Sequence, residues 1–258
     1  MTSRSSAART SALSTARAED FRDEQPLNRR DCAALGVLLG FLLFLAFNFF
    51  VDTSELIMTI VSFAVPAALS VVLFLVYRPL LHRHWAAFRS HLGKNLLIVL
   101  GCFIGLHLVL FLVRLPFGEL FTAGPLTPVT ATIELQDATS WLTLVVGFLA
   151  TTSPVFVAFV EDTVFRHTLL AKIPVWNRGL FLQVILVLVN SFLFGAMHIW
   201  AFGGSLPATI PYMVIGLLMN VLYLWTRNLW FVLGTHILFN SVALLGAVAL
   251  FIFKVLGL

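Results

Sequence analysis

Long apolar runs separated by short polar breaks fill the chain from Asp31 onward. The first lies between Asp31 and Asp52. It holds about 20 residues, the length a helix needs to cross a hydrocarbon core of about 30 Å. Further runs follow at 56–77, 95–113, 141–160, 179–201 and 207–225. The last stretch, 229–258, is long for one span. It reads either as one tilted helix or as two segments hinged near Gly246. The pattern predicts an all-α polytopic membrane protein of about seven spans, or eight with the hinge.

Residues 1–30 carry no apolar run. They are rich in Ser, Ala and Arg, with mixed charges at Glu19, Asp20, Arg22, Asp23 and Glu24. The expectation is a disordered cytoplasmic tail rather than a signal peptide, followed by a transmembrane domain over 31–258.

Composition sharpens this picture. Hydrophobic residues make up 60% of the 258 and charged residues 11%, against roughly 25% charged in ordinary soluble domains. So few charges cannot cover a soluble surface, which excludes a cytosolic globule, a disordered chain and a secreted disulfide scaffold. Cys32 and Cys102 form no CxxC pair and sit in apolar runs, so both are expected as buried small hydrophobes.

The net charge of +4 points to membrane orientation, not to nucleic acid. Arg29 and Arg30, then Arg78, Arg83, Arg89 and Lys94, then Lys172 and Arg178, then Arg227 all fall on one side if every run crosses. The opposite connections are poor in Lys and Arg; the 114–140 loop, with three prolines, has only Arg114 and is expected along the interface. The N-terminus is therefore expected in the cytoplasm. On this reading His82, His84 and His91 are solvated in a basic loop, and His107 makes an interhelical hydrogen bond.

The few remaining charges carry the chemistry. Glu161, Asp162 and Arg166 interrupt a stretch, 141–170, that otherwise reads as membrane. An ionisable group there costs at least about 2.5–3.5 kcal/mol, so the default reading is a functional site. Asp162 and Arg166 are i and i+4 and can pair on one face. Glu161 points about 140° away from Arg166 and stays available for chemistry. His198 lies near the end of the fifth run. His236 and Asn240 are again i and i+4, on the last. An Asn one turn from a His can bond the ring or polarise a carbonyl. The role of His167, beside Arg166, is left open.

Together these residues resemble the CAAX protease and bacteriocin-processing family of intramembrane proteases, also called Abi. Its pattern is Glu-Glu-x-x-x-Arg, then Phe-x-x-x-His, then His-x-x-x-Asn or Asp, on three core helices. Here the motifs are Glu161 to Arg166, Phe194 to His198 and His236 to Asn240, with Asp162 in place of the second Glu. The resemblance covers about 140–245. It implies peptide-bond hydrolysis within the membrane. Glu161 and His198 would activate a water, and His236 and Asn240 would stabilise the oxyanion. Asp162 and Arg166 would support the acidic helix, and Phe194 would pack one turn below His198.

The expected chemistry is metal-free and glutamate-type. Zinc held by Glu161, His198 and His236 is the alternative, although His-Glu-x-x-His is absent. Gly-x-Ser-Gly and Gly-x-Gly-Asp, the marks of rhomboid-type and presenilin-type proteases, are absent too. The implied partners are the bilayer and a membrane-associated, prenylated or bacteriocin-type peptide. The compact chain and short polar tail point to a prokaryotic cell membrane. The competing reading is a transporter or bacteriocin-immunity scaffold that uses the same cluster for binding. One geometric demand stands out: in a straight fifth helix His198 would lie near the face opposite Glu161 and His236. For the three to meet, the fourth helix must reach about Lys172, or the fifth must start late or tilt.

Overall fold

The computed structural model describes residues 29–52, 54–115, 141–176 and 178–256. The expected tail, apart from its last two residues, and nearly all of the 114–140 loop lie outside these. The described residues form seven α-helices: α1 (Arg29–Phe50), α2 (Glu55–Arg89), α3 (Leu92–Arg114), α4 (Trp141–Asp162), α5 (Leu180–Ala196), α6 (Ile210–Thr226) and α7 (Leu229–Leu256). A π-helical segment, Thr163–Ala171, continues α4, and 3-10 turns at Ile199–Phe202 and Pro207–Thr209 join α5 to α6. Among the described residues five helical stretches are long and apolar enough to cross a membrane. The 17-residue α5 and the Leu229–Val242 part of α7 are apolar and shorter. The chain is a multi-pass, all-helical membrane protein. The last stretch is one helix through Gly246, with no second segment.

α4 is the central helix, packed between α2 and α7. α5 and α6 form a close pair, α3 lies on α7 and α6, and α1 lies on α2 and the π-segment. The apolar windows of α2 and α3 are 17% buried, whereas those of α4 with its π-segment and of α6 are 50% buried. The outer helices thus show lipid an apolar surface. The inner ones can carry polar groups away from it.

Prolines help to organise this centre. Pro66 in α2 removes the N–H that would bond the Ser62 carbonyl. The Ser153 hydroxyl of α4 donates to that carbonyl instead, at 2.5 Å. Ser70 Oγ donates to the Phe156 carbonyl at 3.0 Å, adding a second α2–α4 link. Such side-chain bonds satisfy backbone groups that water cannot reach.

Two expectations about α2 are corrected. It does not end near Tyr77 but runs 35 residues to Arg89, about 52 Å at helical rise, so the basic 78–89 segment is helix. His84 is accordingly buried, not solvated. Its Nδ1 accepts the Leu229 N–H at 3.0 Å, and its carbonyl accepts from Asn228 Nδ2 at 2.9 Å. Trp230 Nε1 donates to the Leu81 carbonyl at 2.9 Å. The extension of α2 therefore caps α7 at its start, satisfying a donor that a helix N-terminus leaves open. Two more expectations fail. Cys32 is exposed and Cys102 half-buried, because both lie on outer helices. His107 bonds the Phe103 carbonyl of its own helix at 3.0 Å and lays its ring against Phe239, 4.8 Å away.

Candidate active site

Three elements deliver the candidate residues. Glu161 and Asp162 close α4, and Arg166 lies in the π-segment. His198 sits in the turn after α5, and His236 is seven residues into α7. Glu161 and Asp162 are 3% and 0% exposed, and Arg166 is fully buried. Glu161 Oε1 lies 3.6 Å from His198 Nε2, and Glu161 Oε2 lies 3.8 Å from His236 Nε2. The depth problem is thereby resolved. The helix bearing Glu161 continues through the π-segment to Ala171, while α5 stops at Ala196. The first remedy, extension of the fourth helix, is the one seen.

The other ring nitrogens fix the tautomers. His198 Nδ1 lies 2.9 Å from the Phe194 carbonyl, which can only accept, so Nδ1 carries a hydrogen. His236 Nδ1 donates to Asp162 Oδ2 at 3.3 Å. In their neutral forms both rings turn an Nε2 lone pair toward Glu161. Both separations exceed hydrogen-bond length. With both rings neutral, three acceptors face the space between them; with His236 doubly protonated, its Nε2–H faces that space as a donor beside two acceptors.

Asp162 and Arg166 pair as their spacing predicts, Oδ1 to Nη1 at 3.3 Å. The contact is an ion pair outside hydrogen-bond geometry, and none of the three guanidinium nitrogens has a hydrogen-bond partner among the described residues. The Phe194 ring lies under the guanidinium, 4.1 Å from Cζ, which offsets part of its desolvation. Phe194 thus does more than pack 5.4 Å from the His198 ring.

Asn240 is engaged differently from its sister residues. Its amide donates to the Pro154 carbonyl of α4 at 2.9 Å, which leaves one Nδ2 hydrogen for other use. The donor types of Glu161, His198 and His236 are those zinc takes. Among the described residues no three His, Cys, Asp or Glu side chains are grouped closely enough to hold a metal ion.

Several supporting residues were not singled out in the sequence. Asn190 Nδ2 of α5 donates to the Phe165 carbonyl in the π-segment at 3.0 Å. Asn220 of α6 donates to Asn190 Oδ1 at 2.9 Å and Ser191 Oγ at 3.0 Å. Polar residues inside apolar runs were the available signal. A second buried cluster ties down the end of the π-segment. Tyr77 Oη donates to Asp31 Oδ1 and meets Thr168 Oγ1, both at 3.0 Å. His167 Nδ1 lies 3.3 Å from Tyr223 Oη, which answers the open question about His167. Asp31 stands at a span end, as the sequence shows, but is fully buried.

Residues 138–242 match the family described as Rce1-like, Type II CAAX prenyl endopeptidase Rce1-like. No curated protein and no solved structure matches the chain. The match is consistent with the CAAX protease and bacteriocin-processing family to which the three motifs pointed, and it spans all three. In general terms it supports an intramembrane CAAX-type endopeptidase.

Proposed function

From that family match, we propose that the protein is a glutamate-type intramembrane endopeptidase acting on a membrane-associated peptide of the prenylated or bacteriocin kind. One observation carries the reading: Glu161 meets Nε2 of two histidines from two other elements, at 3.6 and 3.8 Å, in a buried site. A water in the gap donates to Glu161 and His198 and loses a proton to the carboxylate as its oxygen attacks the scissile carbonyl. The oxyanion takes hydrogen bonds from the free Nδ2 hydrogen of Asn240 and from His236 Nε2–H in the doubly protonated ring, whose Nδ1–H stays on Asp162. Glu161 returns the proton to the departing amine. The products are a free carboxyl and an amine. Asp162 acts through His236, and Arg166 holds Asp162. The N-terminus faces a prokaryotic cytoplasm in this reading, and no metal takes part.

Cleavage of a membrane-anchored peptide by purified protein tests the proposal. Glu161→Gln and His198→Ala should each abolish turnover; wild-type turnover in both would sink the reading. Turnover should also survive a strong chelator, and loss that added zinc restores would overturn the metal-free assignment.

A further inference from the structure

His198 has an unusual support for a residue placed at reacting atoms. It belongs to no α-helix. α5 ends at Ala196, and the His198 backbone, at φ −83° and ψ 1°, starts the 3-10 turn Ile199–Phe202. Its N–H bonds the Gly195 carbonyl at 3.0 Å rather than a carbonyl four residues back. Its side chain is 19% exposed, against 3% for Glu161 and 6% for His236. Its ring is anchored along one edge, by Nδ1–H to the Phe194 carbonyl at 2.9 Å with the neighbouring Gly195 backbone acting on the same edge. Anchorage along one edge does not by itself fix the plane of the ring, and tilting about that edge swings Nε2 away from Glu161.

The ring of Tyr212, on α6, closes off that motion. It stacks on His198 with centroids 4.3 Å apart and planes 28° from parallel. Phe202 in turn braces Tyr212 edge-on at 5.4 Å. Tyr212 is held there by its backbone. A Cβ built on Gly195 would lie 2.6 Å from the backbone nitrogen of Met213, so α5 and α6 touch main chain to main chain one residue from Tyr212. A Cβ built on Gly216, one turn on, would lie 2.9 Å from the Phe194 ring and 3.1 Å from the Ser191 carbonyl oxygen. Two glycine contacts thus set the register that brings the Tyr212 ring over His198. His236 is held differently: Asp162 fixes its Nδ1–H within the regular helix α7, and Phe194 meets its ring edge-on at 6.2 Å rather than stacking on it.

We infer that Tyr212 is a positioning residue of this site: its ring fixes the plane of His198 so that Nε2 stays aimed at Glu161 and the water between them. The inference rests on the proposed function, because it presumes that His198 acts on that water. Displacement of a reacting group by about 1 Å costs on the order of 10²-fold in rate. The stack matters to the chemical step and not to substrate binding, so its loss falls on kcat.

The test uses the full chain in detergent, with Tyr212→Leu, Tyr212→Met and Tyr212→Phe beside His198→Ala. Two ringless variants guard against one that fails to fold, and melting curves identify such a failure. The ringless variants should lose roughly 10- to 100-fold in kcat with KM within about twofold of wild type, and Tyr212→Phe should recover most of the loss. In isotope-labelled histidine spectra, the His198 ring protons, assigned through His198→Ala, should lose their upfield ring-current shift in Leu and Met and keep it in Phe. A folded ringless variant with wild-type kcat overturns the inference. So does a rise in KM alone, or a Phe variant as poor as Leu, which would assign the effect to the hydroxyl. If Tyr212 variants are normal while His198→Ala is dead, only the inference falls. If His198→Ala cleaves like wild type, the proposed function falls with it.

Discussion

At the residue scale, the buried charges depend on one another. Removing one partner of a buried ion pair costs about 3–5 kcal/mol, whereas replacing both is often milder. Asp162→Ala should therefore lower the melting temperature in detergent more than Asp162→Ala with Arg166→Met. Equal melting temperatures would mean that the 3.3 Å pair does not hold the site. Both variants should lack activity, since each frees His236 Nδ1. Asn240→Leu should lower kcat by roughly 10²- to 10³-fold, the usual effect of one oxyanion donor; a kcat within threefold of wild type would remove Asn240 from the chemistry. Residues of this kind were legible because spacing within one helix fixes a shared face, as it did for Asp162 and Arg166. His84 and Cys32 were misjudged because burial depends on which helix packs where, and a single helix does not encode that. Tyr212 gave no signal at all: an aromatic near the start of an apolar run looks the same whether it meets lipid or an imidazole.

Elements carry a second kind of constraint. The π-segment presents Arg166 under α5, and Asn190 holds its Phe165 carbonyl. Asn190→Leu leaves that carbonyl without its partner, a loss of about 1–3 kcal/mol. It should lower thermal stability and activity together, and an unchanged melting curve would show that the clamp is idle. Helix existence was legible at this scale from apolar run length alone. Helix extent was not. The cluster of Arg, Lys and His residues made 78–94 look like a loop, yet α2 continues to Arg89 and caps α7. The π geometry was invisible too, since its hydrogen-bond shift leaves no mark in hydropathy.

For the whole molecule, the contacts sort the connections into two ends. The end of α2 meets the start of α7 through His84, Leu81, Asn228 and Trp230. At the other end, Phe49 and Phe50 of α1 meet Trp200, beside His198, with ring centroids 4.8 and 5.5 Å apart. Charge bias in the sequence predicted this division, and it predicts the orientation as well. In a chain with Cys32→Ser and Cys102→Ala, a cysteine at Ser90 should react with an impermeant thiol reagent only in inverted vesicles, and one at Ala201 only in right-side-out vesicles. The reverse pattern would invert the proposed topology. The contact of α5 with α6 has a consequence for the sequences this architecture admits. Gly195 and Gly216 have no room for a Cβ, although neither is proposed to touch substrate. In a library scored for folded protein alone, both positions should accept glycine and nothing else, while Glu161 and Tyr212 vary more freely. Scored for cleavage, all four should narrow, and the difference between the two selections separates architecture from chemistry position by position.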